Sequence, residues 1–404
     1  MNKALPPVFI ILAMLIFQGL PRPLMAMDTE FSGFLETRHN AQVKSPNDIL
    51  ASETLARLEL TACRGNFTAF GAVNLSANHL LEDESGVSLH EGYLDYVLDN
   101  ITIRAGRQII IWGQADGIRI VDNVSPLDYS ETITRDFDEM RMAVDALNLK
   151  YASGWGDVQL LWIPVYKSGE QPAKDSPWYL GGFGSNKLLP KNEPDDPFKE
   201  SELALRYTLY LSGMDLAFSY LYTWNDFPCY QRSGTALEPV YDRMHILGAE
   251  FSKPLGEFVA RTEAAYLAGS LVQGYGNDYF TAEKDRVKWL TGLDWYPGND
   301  WTLSWQYTQS HILDSGSGLT ESGCTKTVTF SVSKDLFREK LTLSAFGYMD
   351  IDVKDGLVRL TAEYEFIDNL EVFLGTDIFA GDRTGAYGRY KDNTQVWTKI
   401  KYHF

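Results

Sequence analysis

The sequence predicts an all-β chain, a transmembrane antiparallel barrel of about eighteen strands, with sixteen as the nearest alternative. Three observations predict it. Apolar and aromatic residues recur at every second place over segments close to the roughly 9–11 residues that a tilted strand needs to cross a bilayer. The connections between those segments alternate between short and long. The composition, with 22 Tyr, 21 Phe, 10 Trp and 33 Gly in 404 residues, is rich in aromatics and glycine but lacks a second long apolar run.

The first residues, MNKALPPVFIILAMLIFQGLPRPLMA, carry an early cation (Lys3), an apolar run and a small residue at Ala26. That layout is expected to be a cleaved signal peptide over 1–26, because the run falls short of the roughly 20 residues a spanning helix requires. No Cys follows the site, so a lipid anchor is not expected. The remainder, 27–404, reads as one barrel domain. The net charge is −18, and loss of Lys3 and Arg22 makes it −20. Such acidity excludes nucleic acid as a partner, since phosphate binding needs a basic face. Three Cys in an exported chain of this length do not make a disulfide scaffold.

In order, strands are expected at 29–38, 53–63, 66–78, 88–98, 100–112, 141–151, 156–166, 202–212 and 214–224. The rest lie at 243–252, 257–269, 285–296, 300–312, 325–334, 340–351, 356–367, 369–380 and 394–404. Val358, Leu360, Ala362, Tyr364 and Phe366 alternate with Arg359, Thr361, Glu363 and Glu365, which puts lipid-compatible groups on one face and charges on the other. Short connections such as CRGN, Gly213, KPLG and PGND alternate with 113–140, 167–201, 225–242, 270–284, 313–324 and 381–393. The 352–355 connection is the exception, short where a long one is due. No fixed-period repeat favours a propeller or solenoid.

The chain closes on Val396, Thr398, Ile400, Tyr402 and Phe404 at every second place, with Phe404 last. This resembles the terminal-strand signal of Gram-negative outer-membrane proteins. The resemblance implies an outer-membrane location, contact with lipid and lipopolysaccharide, and recognition of Tyr402 and Phe404 by the barrel-assembly machinery. The stretch GRQIIIWGQADGIRIVDNVSPLDYSE (106–131) also looks like porins loosely related to the alginate-export type, which implies passage of a polar solute. The basic path of an alginate exporter is not visible in this acidic chain.

Eighteen strands leave room for an aqueous channel. Alternation points Arg57, Glu59, Glu91, Asp95, Arg104, Arg206, Arg261, Glu263, Lys288, Asp294, Arg359, Glu363 and Glu365 inward, where such charges set the field for passing ions. Their simpler role is to pair across neighbouring strands. Segment 113–140 is the third external loop, and in general porins that loop narrows the barrel. It is expected to bend inward, bringing Asp116, Asp122 and Asp128 to Arg104 and Arg107, with Arg119 among them and Ile109 and Ile111 facing lipid below. The competing reading is an acidic surface loop bridged to lipopolysaccharide by divalent cations.

No catalytic residue is expected. Ser310 and His311 are the only adjacent Ser–His pair, and neighbours on a strand point to opposite faces. The lack of HxxH and CxxC spacings argues against a metal site, and no cofactor is implied. Cys63 falls at a short turn, which leaves Cys229–Cys324 as the disulfide the topology allows. The expected function is a channel for passive or substrate-selective diffusion of small polar solutes, as a monomer or a homo-oligomer. The rivals are an exporter with a periplasmic partner and a non-conducting adhesin or anchor.

Overall fold

The computed structural model describes residues 27–404 apart from 45–47, 133, 180, 182, 184–185 and 192, so the expected signal peptide lies outside the described residues. The strands, in chain order, begin with β1 (Asp28–Gln42), β2 (Ile49–Arg64), β3 (Phe67–Asn78), β4 (Gly86–Leu98), β5 (Ile101–Gln108), β6 (Val144–Ser153) and β7 (Gly156–Ile163). They continue with β8 (Lys187–Leu188), β9 (Glu202–Leu211), β10 (Met214–Trp224), β11 (Cys229–Ser233), β12 (Ala236–Val240), β13 (Arg243–Leu255) and β14 (Phe258–Tyr275). The last are β15 (Tyr279–Gly298), β16 (Trp301–Ile312), β17 (Cys324–Leu336), β18 (Leu341–Asp350), β19 (Asp355–Ile367), β20 (Leu370–Ala380) and β21 (Gln395–His403).

Eighteen of these strands form one antiparallel sheet in which neighbours in sequence are neighbours in space. Strand β1 pairs with β2 on one side and with β21 on the other, so the sheet closes on itself and leaves no open edge. The expected count of eighteen and the order of the strands are borne out. Strands β8, β11 and β12 form a separate three-stranded sheet in the long loops. Among the described residues no helix is long and apolar enough to cross a membrane.

Alternation determines the two faces. Phe31 and Leu35 of β1, Val358, Leu360, Tyr364 and Phe366 of β19, and Val396, Ile400 and Tyr402 of β21 all stand exposed on the outside. Between them Glu36, Arg38, Asn40 and Lys399 are buried toward the inside. Turns on the short rim use residues that tolerate the left-handed backbone, as Gly213 does between β9 and β10 at φ 78°. The 352–355 connection is indeed tight, since β18 ends at Asp350 and β19 starts at Asp355.

Two expected boundaries are wrong in an informative way. The strand expected at 100–112 stops at Gln108, and the one expected from 141 starts at Val144. The Ile109 N–H donates instead to Glu91 Oε1 at 2.8 Å, Ile110 N–H to Ser125 Oγ at 2.9 Å and Trp112 N–H to Asp122 Oδ1 at 3.0 Å. Side-chain acceptors thus take three amides out of the ladder and turn the chain off the wall. Ladder pairing to β6 thus ends before Ile109 and Ile111, and Ile111 remains 52% exposed. Ile110 and Trp112, 4% and 2% exposed, enter an apolar cluster instead.

Candidate functional site

The segment 109–143, between β5 and β6, packs against inward-facing residues of the barrel. Its first half is apolar. Ile110, Trp112, Ile120, Val121 and Val124 share one buried cluster with Val144, Leu161, Ala204, Leu221, Ile246, Ala265 and Leu290, which line β6 through β15. Trp112 Nε1–H donates to Gln159 Oε1 of β7 at 3.1 Å, satisfying its one polar atom. Ile118 also packs on a second cluster containing Tyr348, Leu357 and Phe379. The segment therefore extends from one part of the wall to another.

Asp116 sits where it meets β14 and β16. Its carboxylate accepts from Arg261 Nη2 at 2.6 Å, its amide donates to Gln306 Oε1 at 3.1 Å, and Ser304 Oγ lies 3.4 Å away. Arg261 also holds Asp294 at 2.5 Å. Glu263, on the same strand two residues on, accepts from the amides of Gln114 and Val121. Gly117 comes next, at φ 69°, and its carbonyl accepts from Tyr348 Oη at 2.7 Å. Any side chain there would run into Tyr348 and Phe346, so only glycine allows this approach.

The second half is held by charge. Glu131 takes Arg38 of β1 at 2.7 Å and Arg135 at 3.1 Å, and Arg135 in turn approaches Glu53 of β2 at 3.5 Å and Asp128 at 3.4 Å. Asp136 meets Arg359 of β19 at 3.3 Å and Lys399 of β21 at 3.8 Å, and Glu139 meets Lys399 at 3.5 Å. Burial pushes the Glu131 carboxyl up, but Arg38 and Arg135 outweigh it and hold the group down at about 2. Arg135 is raised correspondingly: burial lowers it, and Glu131 and Asp128 more than compensate.

The expected site residues divide. Asp116, Arg261, Glu263 and Arg359 come together on the inside with the segment. Asp122 instead braces the segment internally, accepting from Arg141 Nε at 2.9 Å as well as from Trp112. Asp128 likewise accepts from Ser130 N at 2.8 Å and from Arg135. Arg119 reaches Asp226 in another long loop at 2.7 Å. The expected partners Arg104 and Arg107 are not used. Arg104 is committed to Asp95 directly across β4 at 2.7 Å, and Arg206 to Glu250 at 2.8 Å. Arg107 is not a lumen residue: it shares a face with Ile101 and Ile103, and its partner Asp145, at 2.9 Å, shares one with Leu149 and Tyr151 on the outside. Glu363 lies inward opposite Phe373. Tyr402 and Phe404 lie at the seam, where Gly33 and Phe404 exchange both backbone hydrogen bonds, 3.1 and 3.0 Å long.

Cys63, Cys229 and Cys324 are free thiols, so the Cys229–Cys324 bridge is not formed. Cys324 Sγ instead accepts from Gln309 Nε2 on the neighbouring strand, and Cys229 is half-buried at the start of β11, where desolvation pushes its thiol up to about 12. Among the described residues no group of three or more His, Cys, Asp and Glu side chains is placed to hold a metal ion. Arg38, Glu53, Glu131, Arg135, Asp136 and Lys399 were absent from the expected site, although alternation alone places Arg38, Glu53 and Lys399 inside.

No protein-family profile and no curated protein sequence matches the chain. Solved structures do match its fold. OccAB1 of Acinetobacter baumannii superposes with a TM-score of 0.56 at 9% identity, over 93% of this chain and 96% of its own. OccAB4 of the same organism gives 0.55 at 10%, over 95% and 100%. OccD3 (OpdP) of Pseudomonas aeruginosa gives 0.53 at 11%, over 93% and 91%. These neighbours are Gram-negative outer-membrane porins, and the barrel here has their fold.

Proposed function

We propose that the chain is an outer-membrane channel through which small polar solutes diffuse, and that the segment 113–140 is its constriction. The signal peptide over 1–26 would be removed on export, and the assembly machinery would insert the 27–404 barrel by its terminal strand. The observation that carries the reading is the placement of the segment: acidic residues Asp116, Glu131 and Asp136 bond inward cations on β14, β1 and β19. A loop so placed narrows the space inside and sets its field, and selection then rests on size, charge and hydrogen bonding rather than on a chemical step. The neighbours' fold supports a channel.

Single-channel recording of the refolded barrel in planar bilayers tests this. Ion-conducting steps are expected, with cation/anion selectivity shifted in the D116N/E131Q/D136N variant. A folded barrel without conductance would remove the channel reading, and unchanged selectivity would remove the constriction.

A further inference from the structure

We propose that Ser52, His39 and Thr37 form an acyl-transfer site on the outside of the barrel, with the carboxylic ester of a membrane lipid as substrate. His39 and Ser52 are direct cross-strand partners on β1 and β2. His39 Nδ1 is 3.0 Å from Ser52 Oγ, and its Nε2 is 3.1 Å from Thr37 Oγ1. Alternation puts His39 and Thr37 on the face of Phe31 and Leu35, not on the buried face of Arg38 and Asn40. The site is bounded by apolar groups along the wall: Leu35 and Ile400 toward the short-turn rim, Ile49 and Val396 toward the long-loop rim. Acyl chains would surround it.

One tautomer of His39 suits both of its hydroxyl neighbours. Thr37 has one hydroxyl proton and gives it to the Glu53 carbonyl at 3.3 Å. In the Nε2–H tautomer of His39 the Thr37 oxygen accepts the ring proton, and the Nδ1 lone pair faces the Ser52 hydroxyl. That is the arrangement of a serine nucleophile beside a general base with a third group setting the tautomer. Ser52 Oγ would add to the ester carbonyl carbon while its proton passes to His39 Nδ1. The ester C–O bond then breaks, and the departing alkoxide takes that proton. Water attacks the acyl-serine with His39 again as base, which releases the fatty acid and restores Ser52. Ser52 and His39 are the catalytic residues, and Thr37 is a positioning residue.

The test uses the refolded full barrel with a fluorophosphonate probe, and vesicles of phosphatidylcholine or of lipid A as separate arms. Labelling of Ser52 and fatty-acid release from one or both vesicles are expected. Both should vanish in S52A and fall about 10²–10⁴-fold in H39Q, the usual contribution of a general base. T37V should keep the label but shift the pH profile of release, which a merely packing role would not do. The arm that releases fatty acid identifies the lipid. Bilayer conductance of each variant reports that the barrel is intact. An unlabelled Ser52 in a conducting barrel, or release unchanged in S52A, would overturn the proposal.

Discussion

The two halves of the segment inside the barrel are held by different physics. From Ile110 to Val124 it is an apolar strip seated on the β6–β15 wall, while from Asp128 to Glu139 it is a polar strip tied to β1, β2, β19 and β21. Burial of apolar surface is non-directional and involves no titrating group, whereas ion pairs are screened by salt and are lost when a partner is neutralised. The first half should therefore behave as a fixed support. The second should respond to its surroundings.

Removing Trp112 should break the contrast most severely. Trp112→Ala empties a site that is 2% exposed and should cost about 3–5 kcal/mol, read as a lower urea midpoint of the refolded barrel. An unchanged midpoint would mean the apolar half is only resting on the wall. Arg38→Ala should come next, at about 3 kcal/mol, since it takes one partner from a largely buried carboxylate that Arg135 still shares. Its signature should be noisier open-channel current, with current as quiet as the parent's arguing against a tether. Asp116→Asn, which weakens a charge-assisted bond within the apolar half at a carboxylate 46% exposed, should cost about 1 kcal/mol and lower cation preference in reversal-potential measurements.

Acid sharpens the comparison further. The Glu131 carboxyl is held at about 2 when folded against its usual 4.5, so its contribution is complete above pH 4.5 and drains away as pH falls toward 2. Current noise should thus stay constant from pH 7 to 5 and rise only below 4.5. Noise rising near pH 6 would point to another group. The smallest effect belongs to Asp138→Asn, whose side chain is 86% exposed beside Arg141, at no more than about 0.5 kcal/mol by the same urea measurement.

Much of this could be read in the residues, and what could not has a common cause. Strand alternation depends only on near neighbours, so Val396 to Phe404 and Val358 to Phe366 announce their outward faces directly. Contacts across the barrel depend on closure. Arg104 looks available to the segment until the ladder sets Asp95 opposite it, and Arg38 looks remote from Glu131, 93 residues away, until β1 is known to face it. Ser52 and His39 escaped for the same reason. Adjacency in sequence separates Ser310 and His311 to opposite faces, while register brings together two residues 13 apart.

The seam between β1 and β21 has a consequence for timing. Phe34 pairs with His403 and Gln42 with Gln395, so the cylinder is completed by strands separated by nearly the whole chain. A contact so distant along the polymer carries a large closure entropy and forms slowly. Until Gln395–His403 arrives, β1 keeps an open row of amides and carbonyls that any other strand could claim. Any species that precedes closure therefore carries that open edge, and fidelity in delivering the last strand matters as much as the strength of any pair it finally makes.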